Sequence, residues 1–240
     1  MNFNIDLHVI QSVPPSNLNR DDTGSPKTAV YGGVRRARVS SQAWKRATRR
    51  DFEDYLDTTE FGVRTKRAVE LLAGRIERLD PSIGEEGAQT RATAVLNQAG
   101  LKTKARRKAE AGEPELTEYL VFFSNQQLDK LAALAVESDG GPPNARAAKN
   151  VLKEGNSFDL ALFGRMVAND ADLNVDAACQ VAHALSTHAV TNEYDYYTAV
   201  DDESPEDETG AGMIGTVEFN SATLYRYATV SVAALHENLG

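Results

Sequence analysis

Apolar residues along this chain of 240 residues recur with two periods, and the changes of period mark out its organisation. Phe3, Ile5, Leu7 and Val9 alternate with Asn4, Asp6 and His8, which predicts an N-terminal strand with one buried face, ending at Pro14-Pro15. Residues 16–26 (SNLNRDDTGSP) are turn formers around a single basic residue, Arg20. Residues 28–31 and 34–39 then read as a hairpin folded at Gly32-Gly33. Ser40-Ser41 caps a helix expected to run to Tyr55. At the helical rotation of about 100° per residue, Gln42, Lys45, Arg46 and Arg49 share one face, and Trp44, Ala47, Thr48, Phe52 and Tyr55 lie opposite.

From residue 57 to 172 the helical period dominates, over residues 63–79, 125–137 and 145–152, and is broken by Asp80-Pro81 and the glycine-bearing stretches 84–87, 112–114 and 140–143. This pattern predicts a mainly helical insertion with variable loops. Phe163-Gly164-Arg165-Met166 follows as a turn explicable by packing alone. A helix is expected over residues 174–188, burying Val175, Ala178, Val181, Ala182 and Leu185. Residues 191–216 have apolar or aromatic ends and a charged, turn-forming middle, as a protruding hairpin does. Residues 222–232 alternate again and predict a strand; no internal repeat is visible.

Charge changes this picture more than composition does. The apolar fraction of 41% and charged fraction of 25% are those of a globular protein, and the net charge is -9. Yet residues 27–50 hold eight basic residues (Lys27, Arg35, Arg36, Arg38, Lys45, Arg46, Arg49, Arg50) and no acidic one. The rest of the chain then carries 18 basic against 35 acidic residues, a net of -17. Positive charge so segregated attracts a polyanion locally, and the cap of the basic helix adds unsatisfied backbone donors; a nucleic-acid backbone is the first partner to expect. A second basic run, Lys102, Lys104, Arg106, Arg107 and Lys108, lies in a loop and suits a solvated surface better. The hairpin of residues 191–216, with eight acidic residues, repels phosphate, while Tyr197, Val200 and Met213 are suited to wedging between bases or packing on a neighbouring subunit.

Enzymatic chemistry is poorly supplied. The single cysteine, Cys179, excludes an intramolecular disulfide and a cysteine-rich zinc site. His183 and His188, five apart on the expected helix, point about 140° apart and do not share a metal. Phosphate-loop, dinucleotide, Gly-x-Ser-x-Gly and HExxH patterns are missing, so no cofactor or metal is expected. His8 or His188 remains available as a general base for RNA cleavage. No apolar run approaches the ~20 residues of a membrane helix and residues 1–10 lack the features of a leader, which sets the expectation of a cytoplasmic protein.

Six separated motifs, in order, resemble one family. They are Leu18-Asn19-Arg20-Asp21-Asp22; the run from Gly32-Gly33 through Arg35, Arg36, Arg38, Ser40, Ser41 and Gln42 to Lys45-Arg46-Ala47; Gly164-Arg165-Met166; Ala182-His183-Ala184 with Thr187-His188; Thr198-Ala199-Val200-Asp201-Asp202; and Phe219-Asn220-Ser221 with Tyr225-Arg226-Tyr227-Ala228. Together they are similar to the CasC family, the repeated CRISPR-RNA-binding backbone subunit of the type I-E Cascade antiviral complex. The resemblance implies an α+β fold: an RRM-like (ferredoxin-like) palm, a helical fingers insertion and a β-hairpin thumb. On that plan residues 1–56 begin the palm, 57–172 are the fingers, 173–190 a palm helix, 191–216 the thumb, and 217–240 a palm strand with the start of a C-terminal part that related chains continue.

The resemblance further implies a non-catalytic protein that assembles head to tail on guide RNA, kinks it at regular intervals, contacts other Cascade subunits and presents the guide to target DNA. Arg20, Lys27, Ser40, Gln42, Lys45, Arg46 and Arg49 would hold guide phosphates and sugars. Met166 would stand at a kink, with Tyr197 and Thr198 in the thumb of the adjoining one. The competing expectations are an RRM-fold endoribonuclease that processes CRISPR RNA and a protein-interaction module with a fortuitously basic helix.

Overall fold

The computed structural model of the protein describes residues 3–107, 112–199 and 213–240. In chain order its main elements are β1 (Asn4–Ser16), β2 (Thr28–Tyr31), β3 (Val34–Val39), α1 (Ser41–Asp51), β4 (Gly62–Thr65), α2 (Ala68–Leu79) and α3 (Gly84–Gln98). There follow β5 (Thr103–Lys104), β6 (Leu116–Thr117), β7 (Val121–Ser124), α4 (Asn125–Glu137), α5 (Ala145–Lys153) and α6 (Phe158–Phe163). The last are β8 (Cys179–Val181), β9 (Ala184–Ser186), β10 (Glu193–Ala199), β11 (Met213–Ser231) and α7 (Val232–Leu239). This is the mixed α+β class expected, and it divides into two compact units.

The sheet unit comprises Asp6–Arg50 and Val181–Thr229. Its strands run in the order β1-β11-β9-β3-β2, and β10 and β8 also pair with β11. The hairpin register is set by a two-residue glycine turn, Gly32-Gly33, which places Tyr31 opposite Val34 and Thr28 opposite Ala37. Antiparallel pairing of β3 with β9 sets Arg38 against Leu185, and that of β11 with β9 sets Tyr225 against Leu185. Side chains alternate across a sheet, so Ala37, Val39, Ala184, Ala222 and Leu224 point one way and form the unit's small core. Helix α1 closes it with Ala43 and Trp44, beside Val13 and Val190. The Arg226 guanidinium lies 3.7 Å from the centre of the Trp44 ring and donates to Gln11, stacking its charge over an indole rather than burying it unpaired.

Two expectations for this unit are corrected. Residues 174–188 form no helix; β8 and β9 stand there instead. Val175, Ala178, Val181, Ala182 and Leu185 fit a 3.6 period, but β9 is taken into the sheet between β11 and β3, and tertiary pairing overrides so weak a periodicity. The apolar alternation at the N-terminus does form a strand, but Phe3, Ile5, Leu7 and Val9 are 43% to 51% exposed, not buried. Alternation identifies the face that prefers burial without stating that the chain supplies a cover. The final strand begins earlier than expected, and β11 runs unbroken from the hairpin into the sheet.

The helical unit comprises Met1–Ile5, Asp51–Gln180 and Val230–Gly240. Its core, including Leu72, Ile76, Val95, Leu96, Phe123, Leu128, Leu131 and Leu152, is formed by α2, α3, α4 and α5 around the β4-β7 pair. Helix α4 occupies residues 125–137 as its periodicity predicts, started by a capping box in which Ser124 Oγ accepts from Gln127 N–H and Gln127 Oε1 accepts from Ser124 N–H. The helix expected over 63–79 begins only at Ala68, because residues 62–65 pair with β7. Gly84 to Gly87, expected to interrupt helix, instead opens α3, whose buried side is largely alanine (Ala88, Ala92) and thus nearly silent in a hydrophobic pattern.

Candidate nucleic-acid interface

The seven basic or polar side chains expected to meet a backbone come from three segments of the sheet unit, and one residue ties the segments together. Asn19 O accepts from Lys27 N–H at 2.8 Å, while Asn19 Oδ1 accepts from Ser40 N–H at 2.9 Å. Arg38 N–H in turn donates to Lys27 O. The loop carrying Arg20, the hairpin carrying Lys27 and the start of α1 are therefore held by one asparagine. Sequence reading passed over this role, since Asn19 looks like any loop polar residue; its only signal was membership of the Leu18-to-Asp22 motif.

The loop is rigid for a local reason. Asp21 Oδ1 accepts from Thr23 N–H, Thr23 Oγ1 and Ser25 N–H, and these bonds, the Thr23 hydroxyl first, hold the Asp21 carboxyl below the usual carboxylate range. Arg20 is exposed and bridges to Pro26 across the loop. Ser25 Oγ donates to Glu218 and Asn17 donates to Glu218 O, anchoring the loop on β11.

On α1 the exposed side chains are Gln42, Arg46, Ala47, Arg50 and the terminal Asp51, with Lys45 and Arg49 half-buried beside the basic ones. The cationic face expected from the helical wheel is present but rotated: Arg50 joins it, and Ala47 is exposed instead of covered. The rotation follows from Ala43 and Trp44, which take the core position. Ser40 is only 7% exposed, and its Oγ accepts from Ala43 N–H as the helix cap. The first turn has no acidic residue, so nothing offsets the positive end of the helix dipole.

Tyr197 and Thr198 sit on β10, every residue of which is exposed. Tyr197 pairs with Gly215 and Thr198 with Ile214. The Tyr197 ring lies across Gly215, where an added Cβ would fall 2.6 Å from the ring carbon bearing the hydroxyl. Tyr194, Tyr196 and Ile214 project from the opposite face and are exposed as well. Val200, Asp201 and Asp202 of the expected thumb, and Lys108 of the second basic run, lie outside the described residues.

Met166 belongs to the helical unit, on an anchored turn. Gly164 adopts φ 77°, with Val175 O only 2.7 Å from where a Cβ would stand, so no other residue fits without strain. Arg165 and Val175 exchange backbone hydrogen bonds. The Arg165 side chain is buried, and its guanidinium donates to Leu173 O, Leu152 O, Phe122 O and Gln127 Oε1. Burial pushes its pKa down to about 10, which leaves it charged at neutral pH. Val167 N–H donates to Asn174 Oδ1. Between these fixed neighbours Met166 stands 79% exposed.

Both ring nitrogens of His188 are engaged. His188 accepts from Thr223 N–H through Nε2, so its Nδ1 carries the proton and donates to Ala189 O. Among the described residues no cluster of His, Cys, Asp or Glu is placed to hold a metal, and no helix is long and apolar enough to cross a membrane.

Comparison with known proteins adds to this geometry. The profile of the CT1975-like protein family matches residues 5–240. A chain of a solved structure titled "CRISPR RNA-guided surveillance complex, pre-nicking" is 37% identical, with a TM-score of 0.85 over 98% of this chain. A second, titled "CRISPR RNA-guided surveillance complex", is 31% identical, with a TM-score of 0.73 over the same share. The protein spans 66% of the length of each. No curated protein matches it.

Proposed function

The chain belongs to the CT1975-like family, and from that premise we propose that it binds CRISPR guide RNA as a backbone subunit of a Cascade-type surveillance complex. The observation that supports this reading is the Asn19 clasp, which holds together the segments bearing Arg20, Lys27 and the basic helix α1 on a protein of net charge -9. Arg20, Lys27, Gln42, Lys45, Arg46 and Arg49 take phosphates and sugars, and Ser40 holds the helix end to them. Such a surface grips a strand without reading it, as a carrier of variable guides requires.

The finer reading is a type I-E, CasC-like subunit that polymerises head to tail on the guide in the cytoplasm. Met166 and the Tyr197-Thr198 finger of successive copies flank kinks and leave the intervening bases free for target DNA. The protein binds and does not cleave; the engagement of both ring nitrogens of His188 supports this over an endoribonuclease.

Titrating the protein with a guide RNA over a salt series tests the reading. Lys45→Ala combined with Arg49→Ala weakens binding equally for unrelated spacer sequences and lowers the slope of log affinity against log salt by roughly 1.4, about 0.7 for each lost contact to a single strand. An unchanged slope, or a loss confined to one sequence, refutes it. Electron microscopy of the same mixture shows filaments if the chain polymerises.

A further inference from the structure

The sheet has a second face, turned away from α1, and this face is built for contact. On β11, Ala222 and Leu224 enter the core, so Tyr225 and Tyr227 project to the other side. His8 of β1, Leu185 of β9 and Arg36 of β3 project there too, and with them the tyrosines line an open cleft of about 500 Å³. Pockets that hold nucleotide-sized ligands fall in this range.

The rings are fixed before anything binds. His8 is stacked on Tyr225 with centroids 6.1 Å apart and planes 27° apart, and lies 5.0 Å from Tyr227. His8 Nδ1 and the Tyr225 hydroxyl are hydrogen-bonded at 2.7 Å, and the Tyr227 hydroxyl donates to Asp6 Oδ1 at 3.0 Å. Tyr225 is nonetheless 41% exposed. Arranged rings left open to water are a stacking platform lacking its partner.

Charge narrows the partner. Arg36 donates through Nε to Tyr31 O and through Nη1 to Ser186 O, bonds that orient the guanidinium and leave Nη2 to neither. Arg38 projects from the same face of β3, with Nε on Thr28 O. The carboxylate beside the rings, Asp6, is committed to Thr229 first and then Tyr227, which hold it below its usual range. A flat aromatic group bearing a nearby anion satisfies the ring faces, the hydroxyl and imidazole edges and Arg36 together.

We propose that this cleft receives one unstacked base of a single-stranded RNA, stacked on Tyr225 and Tyr227 with its phosphate on Arg36. A base within a duplex has no free face to offer, so the site selects unpaired strands. The proposal rests on reading the protein as an RNA binder, but on residues that reading does not use.

The test uses a short oligouridylate carrying one central 2-aminopurine, whose fluorescence falls on stacking, with adenosine monophosphate as a second probe. The wild-type chain quenches the oligonucleotide. Tyr225→Leu with Tyr227→Leu abolishes the quench and weakens binding about tenfold, the scale of one lost base stack. Tyr225→Phe keeps both, which separates stacking from a folding defect, as does an unchanged melting temperature. Lys45→Ala with Arg49→Ala weakens binding but leaves the quench of the bound fraction intact.

Wild-type binding and quench in the leucine pair overturn the proposal and leave the α1 surface standing. Binding of adenosine monophosphate, read by calorimetry, with no quench of the oligonucleotide overturns the strand assignment. Failure of the wild-type chain to bind either probe overturns this site and the RNA-binding reading together.

Discussion

Arg165→Met is the sharpest test of how the Met166 turn is held. Methionine replaces most of the arginine's length but none of its donors, so four acceptors each lose one donor: the carbonyls of Leu173, Leu152 and Phe122, and Gln127 Oε1. Three are backbone groups that no second substitution can remove, unlike the partners of an ordinary buried ion pair. An orphaned buried acceptor costs about 1–3 kcal/mol. The Phe122 bond is long at 3.4 Å, Gln127 keeps its contact with Ser124 N–H, and Leu152 O keeps the bond donated by Gln127 Nε2, so the loss at Leu173 O dominates. With the weaker losses at the other three it amounts to roughly 2–3 kcal/mol, which is about 5–10 °C for a unit of this size.

The assay is thermal and urea unfolding, with amide exchange on residues 164–175 reporting the turn itself. Arg165→Lys restores one or two of the bonds and falls between. The arginine, at about 10, stays protonated from about pH 5 to 9, so the loss is flat across that range. A methionine variant within about 1 kcal/mol of wild type, or one with unchanged exchange at Met166, refutes the account.

Other perturbations separate the parts of the interface. Asn19→Ala removes the bond to Ser40 N–H, costs roughly 1–2 kcal/mol and lowers RNA affinity without removing a charge, measured by melting and by titration in parallel. Gly215→Val drives the Tyr197 ring off its strand; backbone affinity holds while chemical probing of the bound guide changes near the finger. Lys149 lies 2.7 Å from Asp170, and its hydrogen bond holds the Asp170 carboxyl below its ordinary value of 3.8. A depressed acid stabilises the fold above its unfolded pKa and loses that contribution as pH falls through the folded one. Melting temperatures of wild type and Lys149→Met therefore differ near neutrality and converge in acid.

Strong local signals survived the passage from sequence to structure: the glycine hairpin, the basic helix, α4 and the exposed finger were all legible. Residues 174–188 were not, because a run of alanines and valines satisfies two periods and only the neighbours β3 and β11 decide between them. Helix α3 was hidden by its small residues, and Phe3 to Val9 announced an apolar face whose exposure no pattern encodes. At the interface the charges were readable from composition. What arranges them was not: Asn19 acts through one backbone and one side-chain acceptor, and Arg165 through carbonyls contributed by distant segments. Sequence carries the charge of a group far more plainly than its hydrogen-bond partners.

Strand β11 runs for 19 residues, serving first as one edge of the finger and then as a rail of the sheet. Its two halves consequently share a single parity. Deleting one residue between Met213 and Asn220 would leave the sheet in register but turn the β11 side chains beyond the lesion inside out, so that Tyr197 met a different neighbour across the pair. Divergence in this finger is thus expected to proceed by even steps, with natural variants and engineered grafts gaining or losing residues in pairs.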